Sequence, residues 1–223
     1  MIDIRCGNMR ELSAELAADS VDLILTDPPY TDMDCYRDLA RLAMRVLRPD
    51  SACLAFCGIG YLPETLDALR EGGLSYRWRF VIRPVYATEF HGKLCVRTKE
   101  LLWFEKGRSK LYASLFDFQF SINKGNHSVN GKNWGKGLDV ITRYILAFTQ
   151  PGDLVLDPFL GSGVTAVAAM QTSRQFIGFE LNPAVADVAR QRLAMAQPPL
   201  FVPQPQQSAI HTKMTASVEN AVR

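Results

Sequence analysis

The chain has 223 residues, a formal net charge of +2, and 48% hydrophobic and 22% charged residues. Those values exclude a disordered or fibrous chain and leave room for one large α/β domain rather than two. No apolar run reaches the roughly 20 residues of a membrane span, and Met1-Ile2-Asp3-Ile4-Arg5 lacks a basic-then-apolar signal pattern, so a cytoplasmic protein is expected.

In chain order, Ile2 to Arg5 alternates weakly and reads as a short strand, followed by a helix over Met9 to Ala17. The run Val21-Asp22-Leu23-Ile24-Leu25 is a β-rich strand, closed by the prolines of Asp27-Pro28-Pro29 because proline cannot continue a central ladder. Arg37 to Leu47 places apolar residues at 39, 42, 43, 46 and 47, the spacing of an amphipathic helix. Ala52 to Phe56 reads as a buried strand, and Pro63 to Arg70 as a helix stopped by Gly72-Gly73. Tyr76 to Ile82 and Glu100 to Phe104 are strands. Lys106 to Gly137 is rich in Gly, Asn and Ser, which predicts a loop with small local elements at most.

Regular structure resumes with a helix over Leu138 to Phe148, a strand over Asp153 to Asp157 and a small-residue helix over Val164 to Met170. A strand over Gln175 to Glu180 follows, then a helix over Pro183 to Met195 with Asn182 as N-cap. Residues 197–223 are rich in Pro and Gln and read as a disordered tail after a single domain over 1–196. The alternation predicts an α/β fold with a mostly parallel, doubly wound sheet, whose ligands bind beyond the carboxyl ends of the strands.

Two segments at such ends carry chemistry. In Asp157-Pro158-Phe159-Leu160-Gly161-Ser162-Gly163 the glycines permit a tight turn and close approach of a ligand to the backbone. It matches neither the GxGxxG pattern nor a P-loop. The strand that follows ends in Glu180, placed to accept hydrogen bonds from both hydroxyls of a ribose. Together they point to a nucleoside-bearing ligand. The second segment is Thr26-Asp27-Pro28-Pro29-Tyr30. Its prolines lack N–H groups, so the turn presents carbonyl acceptors, Asp27 adds a carboxylate, and Tyr30 offers a flat face. Adjacent acceptors beside an aromatic face suit an exocyclic amine on an unstacked base. Either segment alone is also compatible with a plain packing turn; their co-occurrence argues against that.

Thr26-Asp27-Pro28-Pro29-Tyr30 resembles the catalytic motif of amino-group DNA methyltransferases. Val155 to Thr165 resembles their cofactor motif, and Gln175 to Glu180 their ribose-binding strand. The catalytic motif precedes the cofactor motif, the order of the beta class, a circular permutation of the S-adenosylmethionine-dependent methyltransferase fold. The resemblance covers about residues 2–105 and 136–196 and implies transfer of a methyl group from S-adenosylmethionine to the adenine amino group of DNA. It implies that Asp27, Pro28, Pro29 and Tyr30 hold the target base. Asn8, Asp27, Lys136, Asp157, Phe159, Gly161, Ser162, Gly163, Thr165 and Glu180 would serve the cofactor. The chain departs from the family at Asn8, where an acid is usual, at Gly137, where the family has Pro, and at Lys132, where it has His.

DNA is the expected partner, and a homodimer is compatible with the short recognition region over about 84–136. Between Arg77 and Lys110 there are nine Lys or Arg against three Glu, so this segment concentrates positive charge suited to a polyanion. Arg83, Lys93, Arg97, Lys99, Lys124 and Lys132 are the candidate DNA contacts. The five cysteines include no Cys-x-x-Cys pair, so neither a disulfide framework nor a metal site is expected, and Cys53 and Cys57 read as small buried hydrophobes. Three other readings stand beside this one: methylation of the cytosine amino group, which the acid at position 27 disfavours; an RNA or protein substrate, disfavoured because RNA-directed relatives usually have Asn-Pro-Pro-Tyr; and a non-catalytic nucleic-acid-binding module on the same fold.

Overall fold

The computed structural model describes residues 1–84, 89–91, 93–121, 128–129, 132–133 and 137–196; the side chains of 89–91, 128–129 and 132–133 fall outside that description. The expected tail, and Lys124 and Lys136, lie outside the described residues.

The strands are β1 (Ile2–Cys6), β2 (Val21–Thr26), β3 (Leu47–Cys57), β4 (Ser75–Pro84), β5 (Glu89–His91), β6 (Leu94–Val96), β7 (Lys99–Lys106), β8 (Phe118–Ser121), β9 (Ser128–Val129), β10 (Lys132–Asn133), β11 (Leu154–Asp157) and β12 (Gln175–Glu180). The helices are α1 (Met9–Leu12), α2 (Met33–Val46), α3 (Leu62–Glu71), α4 (Leu138–Phe148), α5 (Val164–Gln171) and α6 (Pro183–Met195). Eight strands form one sheet in the order β1-β12-β11-β2-β3-β7-β4-β8. The first five are mutually parallel, β7 runs antiparallel to both β3 and β4, and β8 runs parallel to β4. The hairpins β5–β6 and β9–β10 stand apart from this sheet.

Both faces are covered, as the near-continuous apolar runs of a buried parallel sheet require. On one face Ile24, Cys53, Ala55, Leu102 and Phe104 pack with Tyr36, Leu39, Ala43 and Val46 of α2 and Ala68 and Leu69 of α3. On the other, Leu23, Leu25, Leu54, Phe56, Leu101 and Trp103 pack with Ile141, Tyr144, Ile145 and Phe148 of α4 and the alanines of α5. Cys53 and Cys57 are fully buried in this interior. Tyr36 Oη donates to the Phe56 carbonyl at 2.8 Å and so pins α2 to β3 from inside the core.

The expected elements are present, with three differences. The helix expected over 9–17 is four residues of α1, capped by Asn8, followed by a 3-10 turn at Ser13–Glu15. Helix α2 begins at Met33 rather than Arg37, since the Asp32 carboxylate accepts from the amides of Asp34 and Cys35. The long loop contains β8, which joins the sheet as its edge strand. Its alternation is inverted: Gln119 and Ser121 are buried, while Phe118 and Phe120 face solvent.

Candidate functional site

The two turns meet because their strands are neighbours. Strand β2 carries the acceptor turn, β11 carries the glycine turn, and the pair is parallel with Leu23 opposite Val155 and Ile24 opposite Leu156. Both turns therefore leave the same end of the sheet. Thr26 Oγ1 donates to Asp157 Oδ1 at 2.6 Å, a buried bond between residues 131 positions apart in the chain. The same Asp157 oxygen accepts the Phe159 amide at 3.2 Å. Burial pushes the Asp157 carboxyl up to about 6, against hydrogen bonds from Thr26, Thr165 and Phe159 that favour its charged form. Asp157 and Thr165, both nearly inaccessible, thus face inward and brace the two turns.

The glycines divide the remaining work. Gly163 has φ 81°, and a Cβ there would lie 2.8 Å from the Ala189 Cβ and 3.0 Å from its Cα, so this position lets α6 close against the start of α5. Gly161 has φ 54°, and a Cβ there would meet nothing within 4 Å: the space above it is open to a ligand. Glu180 Oε2 accepts the Gly161 amide at 2.9 Å and Oε1 accepts the Asn182 amide at 2.9 Å. The carboxylate is thereby fixed beside the glycine turn with lone pairs left for further donors. The Gly7 amide donates to the Glu180 carbonyl at 2.9 Å, which brings Asn8 to the same corner. The Asn8 side-chain oxygen caps α1 through the Arg10 amide at 2.9 Å, leaving its NH₂ as a donor.

Two residues at this corner are not among those the sequence singles out. Leu181 follows Glu180 and is 69% exposed, an apolar face beside that carboxylate. Arg192 Nη1 donates to Ser162 Oγ at 3.0 Å from a half-buried position, and burial holds its guanidinium below the usual value. Because a guanidinium only donates, Ser162 accepts there and its own O–H is directed elsewhere. The exposure of Leu181 next to an acid ending a strand was legible in principle; the Arg192 contact depends on tertiary packing of α6.

In the acceptor turn, Pro28 is buried, Pro29 exposed, and Asp27 and Tyr30 partly buried. The Tyr30 ring lies against Gly58, where a Cβ would stand 3.0 Å from the ring. Burial, the Asp27 charge and a hydrogen bond to the Asp27 carboxylate push the Tyr30 phenol far above its ordinary value, so it stays protonated. Lys99 Nζ sits 5.7 Å from the Tyr30 ring centroid, within range of a cation–π contact. Arg83, at the end of β4, is partly exposed, and Lys93 and Arg97 are exposed. For Lys132 only the backbone, in β10, is described. Among the described residues, no group of three His, Cys, Asp or Glu is placed to hold a metal, and no helix is long and apolar enough to cross a membrane.

Comparison with known proteins identifies relatives of this chain. A family model described as DNA methylase matches residues 21–191. The Type II methyltransferase M.BglII of Bacillus subtilis is 45% identical over 245 residues, spanning 84% of this chain and 68% of the relative. The crystal structure of the M1.HpyAVI-SAM complex superimposes with a TM-score of 0.73 at 24% identity, covering 87% of this chain and 100% of that one. The cytosine-N4-specific PvuII DNA methyltransferase superimposes with a TM-score of 0.75 at 18% identity, covering 96% and 90%.

Proposed function

The chain belongs to the DNA methylase family, and we propose that it transfers a methyl group from S-adenosylmethionine to the N6 amino group of adenine in duplex DNA. The observation that carries this reading is the Thr26–Asp157 bond, which joins the acceptor turn and the glycine turn at adjacent strand ends. An amine held by the first would lie next to a cofactor held by the second.

The residues present fit the cofactor. Open space over Gly161, the oriented Glu180 carboxylate and the exposed Leu181 face form a cradle for a nucleoside, with Glu180 toward the ribose hydroxyls and Leu181 toward a flat base. When bound, S-adenosylmethionine supplies an electrophilic methyl on a sulfonium. Asn8, Phe159 and Ser162 border the same cradle; Asp157, Gly163 and Thr165 shape it from below.

The target adenine leaves the base stack, since its amine cannot be reached inside the duplex. The Tyr30 ring packs against the extruded base, while Asp27 and the Pro28 carbonyl accept the two amine hydrogens. That arrangement aims the nitrogen lone pair out of the turn, a positioning effect. The Asp27 carboxylate also stabilises the positive charge that develops on nitrogen. The Tyr30 hydroxyl stays protonated and hydrogen-bonds the Asp27 carboxylate, which helps hold that acceptor in place. The acid at position 27 favours adenine over cytosine, and the intact acceptor turn favours an enzyme over a silent binding module. The late position of the glycine turn supports the permuted beta class, and the relatives' Type II names support a role in modification of restriction sites.

The test is methyl transfer from labelled cofactor to unmethylated duplex DNA, followed by digestion to nucleosides. Label in N6-methyldeoxyadenosine is expected. Label in N4-methyldeoxycytidine would reassign the base, and DNA without label would sink the enzymatic reading.

A further inference from the structure

Strand β8 exposes what an edge strand ordinarily hides. Phe118 is 42% and Phe120 54% exposed, Phe116 just before them is 78% exposed, and the Phe118 and Phe120 rings meet edge-on with centroids 5.1 Å apart. The alternate residues point inward to dedicated polar partners. Gln119 accepts from Arg143 of α4 at 2.5 Å, and Ser121 donates to Asp139 of α4 at 3.1 Å. The strand is therefore held in a register that buries two polar side chains and presents two aromatic ones. A one-residue slip would reverse both, so the register itself selects the aromatic surface.

The same register aligns Phe118 with Val81 and Phe120 with Arg83 on one face of β4 and β8. Further along that face Arg79 is engaged by buried Glu100 at 3.2 Å. Arg83 makes no ion pair among the described residues. Strand β8 runs parallel to β4, and β4 points the same way as β2 and β3, so Phe120 and Arg83 lie toward the end of the sheet that carries Asp27.

We infer that this face of β8, with Phe118, Phe120 and Arg83, is a DNA-contacting surface that grips the duplex beside the target base. The phenylalanines make apolar contact with a distorted base step, and Arg83 contacts a phosphate. A second copy of the chain fits less well: paired through this same face it would bring no free acid to Arg83 among the described residues, since Glu100 already engages Arg79. A polyanion complements the same charges. Aromatic faces interleaved with arginine suit unstacked or kinked bases. The inference rests on the proposed DNA substrate and adds a set of contacts outside the acceptor and glycine turns.

The experiment compares wild-type protein, the Phe118→Ser/Phe120→Ser double variant and Arg83→Gln for affinity to a labelled mixed-sequence duplex across a salt series, with melting temperature, sedimentation and cofactor affinity measured alongside. The double variant is expected to bind DNA about tenfold more weakly or worse, with the salt slope unchanged, because the lost contacts are apolar. Arg83→Gln is expected to weaken binding and lower the magnitude of the salt slope by about one. Melting temperature, sedimentation and cofactor affinity should stay at wild-type values in both. Unchanged DNA affinity in the double variant would overturn the inference. So would conversion of a wild-type dimer to a monomer, which assigns the face to a second copy, or a lowered melting temperature, which assigns it to the core. Wild-type protein that neither binds nor methylates DNA would instead remove the parent reading.

Discussion

The two ends of the sheet are built by different rules. From β1 through β12, β11 and β2 to β3, strands are parallel, and inward of the partly exposed edge strand β1 they are largely buried on both faces, with tight turns at the ends of β2 and β11. From β7 through β4 to β8, directions are mixed, since β7 opposes both its neighbours while β8 runs with β4; β4 carries an irregularity between Tyr76 and Trp78, and aromatic and basic side chains reach solvent. The first region needs geometric exactness, because a methyl transfer site tolerates little displacement. The second needs a surface, because recognition of a duplex depends on area, charge and shape. Substitutions should therefore separate the two: on the parallel side they affect chemistry or folding, and on the mixed side they affect DNA affinity.

The largest expected effect is at Asp27. Asp27→Ala should lower single-turnover methyl transfer by roughly 10³-fold or more, with cofactor affinity retained in calorimetry. Wild-type rates in that variant would dissolve the distinction between the two regions at its centre.

The glycine pair comes next and divides folding from binding. Gly163→Val forces a side chain into Ala189 at a position with φ 81° and should destabilise the fold by about 3 kcal/mol in denaturant titration. Gly161→Ala meets only open space and φ 54°, so its melting point should fall far less while cofactor affinity drops. Wild-type cofactor affinity in Gly161→Ala would show that the open space above Gly161 is not a ligand site.

Asp157 gives a pH-dependent test of the same corner. Its folded-state pKa is raised to about 6 from 3.8, so the folded state binds more protons than the unfolded one between those values. Its contribution is fully present below pH 3.8 and is lost as pH rises through about 6. The loss amounts to about 3 kcal/mol. Asp157→Asn should therefore flatten the fall in stability between about pH 4 and pH 6 relative to wild type; identical slopes would contradict the assignment.

Smaller effects are expected at the rim. Leu181→Ser removes an exposed apolar face and should weaken cofactor binding by about fivefold, near 1 kcal/mol, without changing the melting temperature. Arg37→Ala, which breaks exposed pairs to Asp34 and Glu71, should leave the denaturation midpoint essentially unchanged.

The same contrast decides what the sequence could reveal. On the parallel side, local signals agree with the fold: Val21 to Leu25 is apolar but for Asp22, prolines end β2, Asn182 caps α6, and Gly161 and Gly163 mark the turn. The nature of the ligand followed from Glu180 after a glycine turn. What stayed hidden there was contact across long separations. Thr26 looked like a turn residue, and its bond to Asp157 requires β2 and β11 to be neighbours. Asp157 looked like a cofactor ligand from its place in the motif, whereas its carboxylate faces inward to Thr26 and Phe159. On the mixed side the sequence was opaque for a different reason. Phe118-Gln119-Phe120-Ser121 does alternate, but periodicity identifies two faces without saying which is buried. Only the partners on α4, Arg143 and Asp139, decide that the polar face goes in.

The most direct test of the whole account is base-resolved modification mapping of DNA from a host expressing the wild-type chain, set against a host expressing Asp27→Ala. The account predicts N6-methyladenine at one short recurring sequence with wild type and none of it with the variant. N4-methylcytosine in its place, or methylation that persists without Asp27, would contradict it.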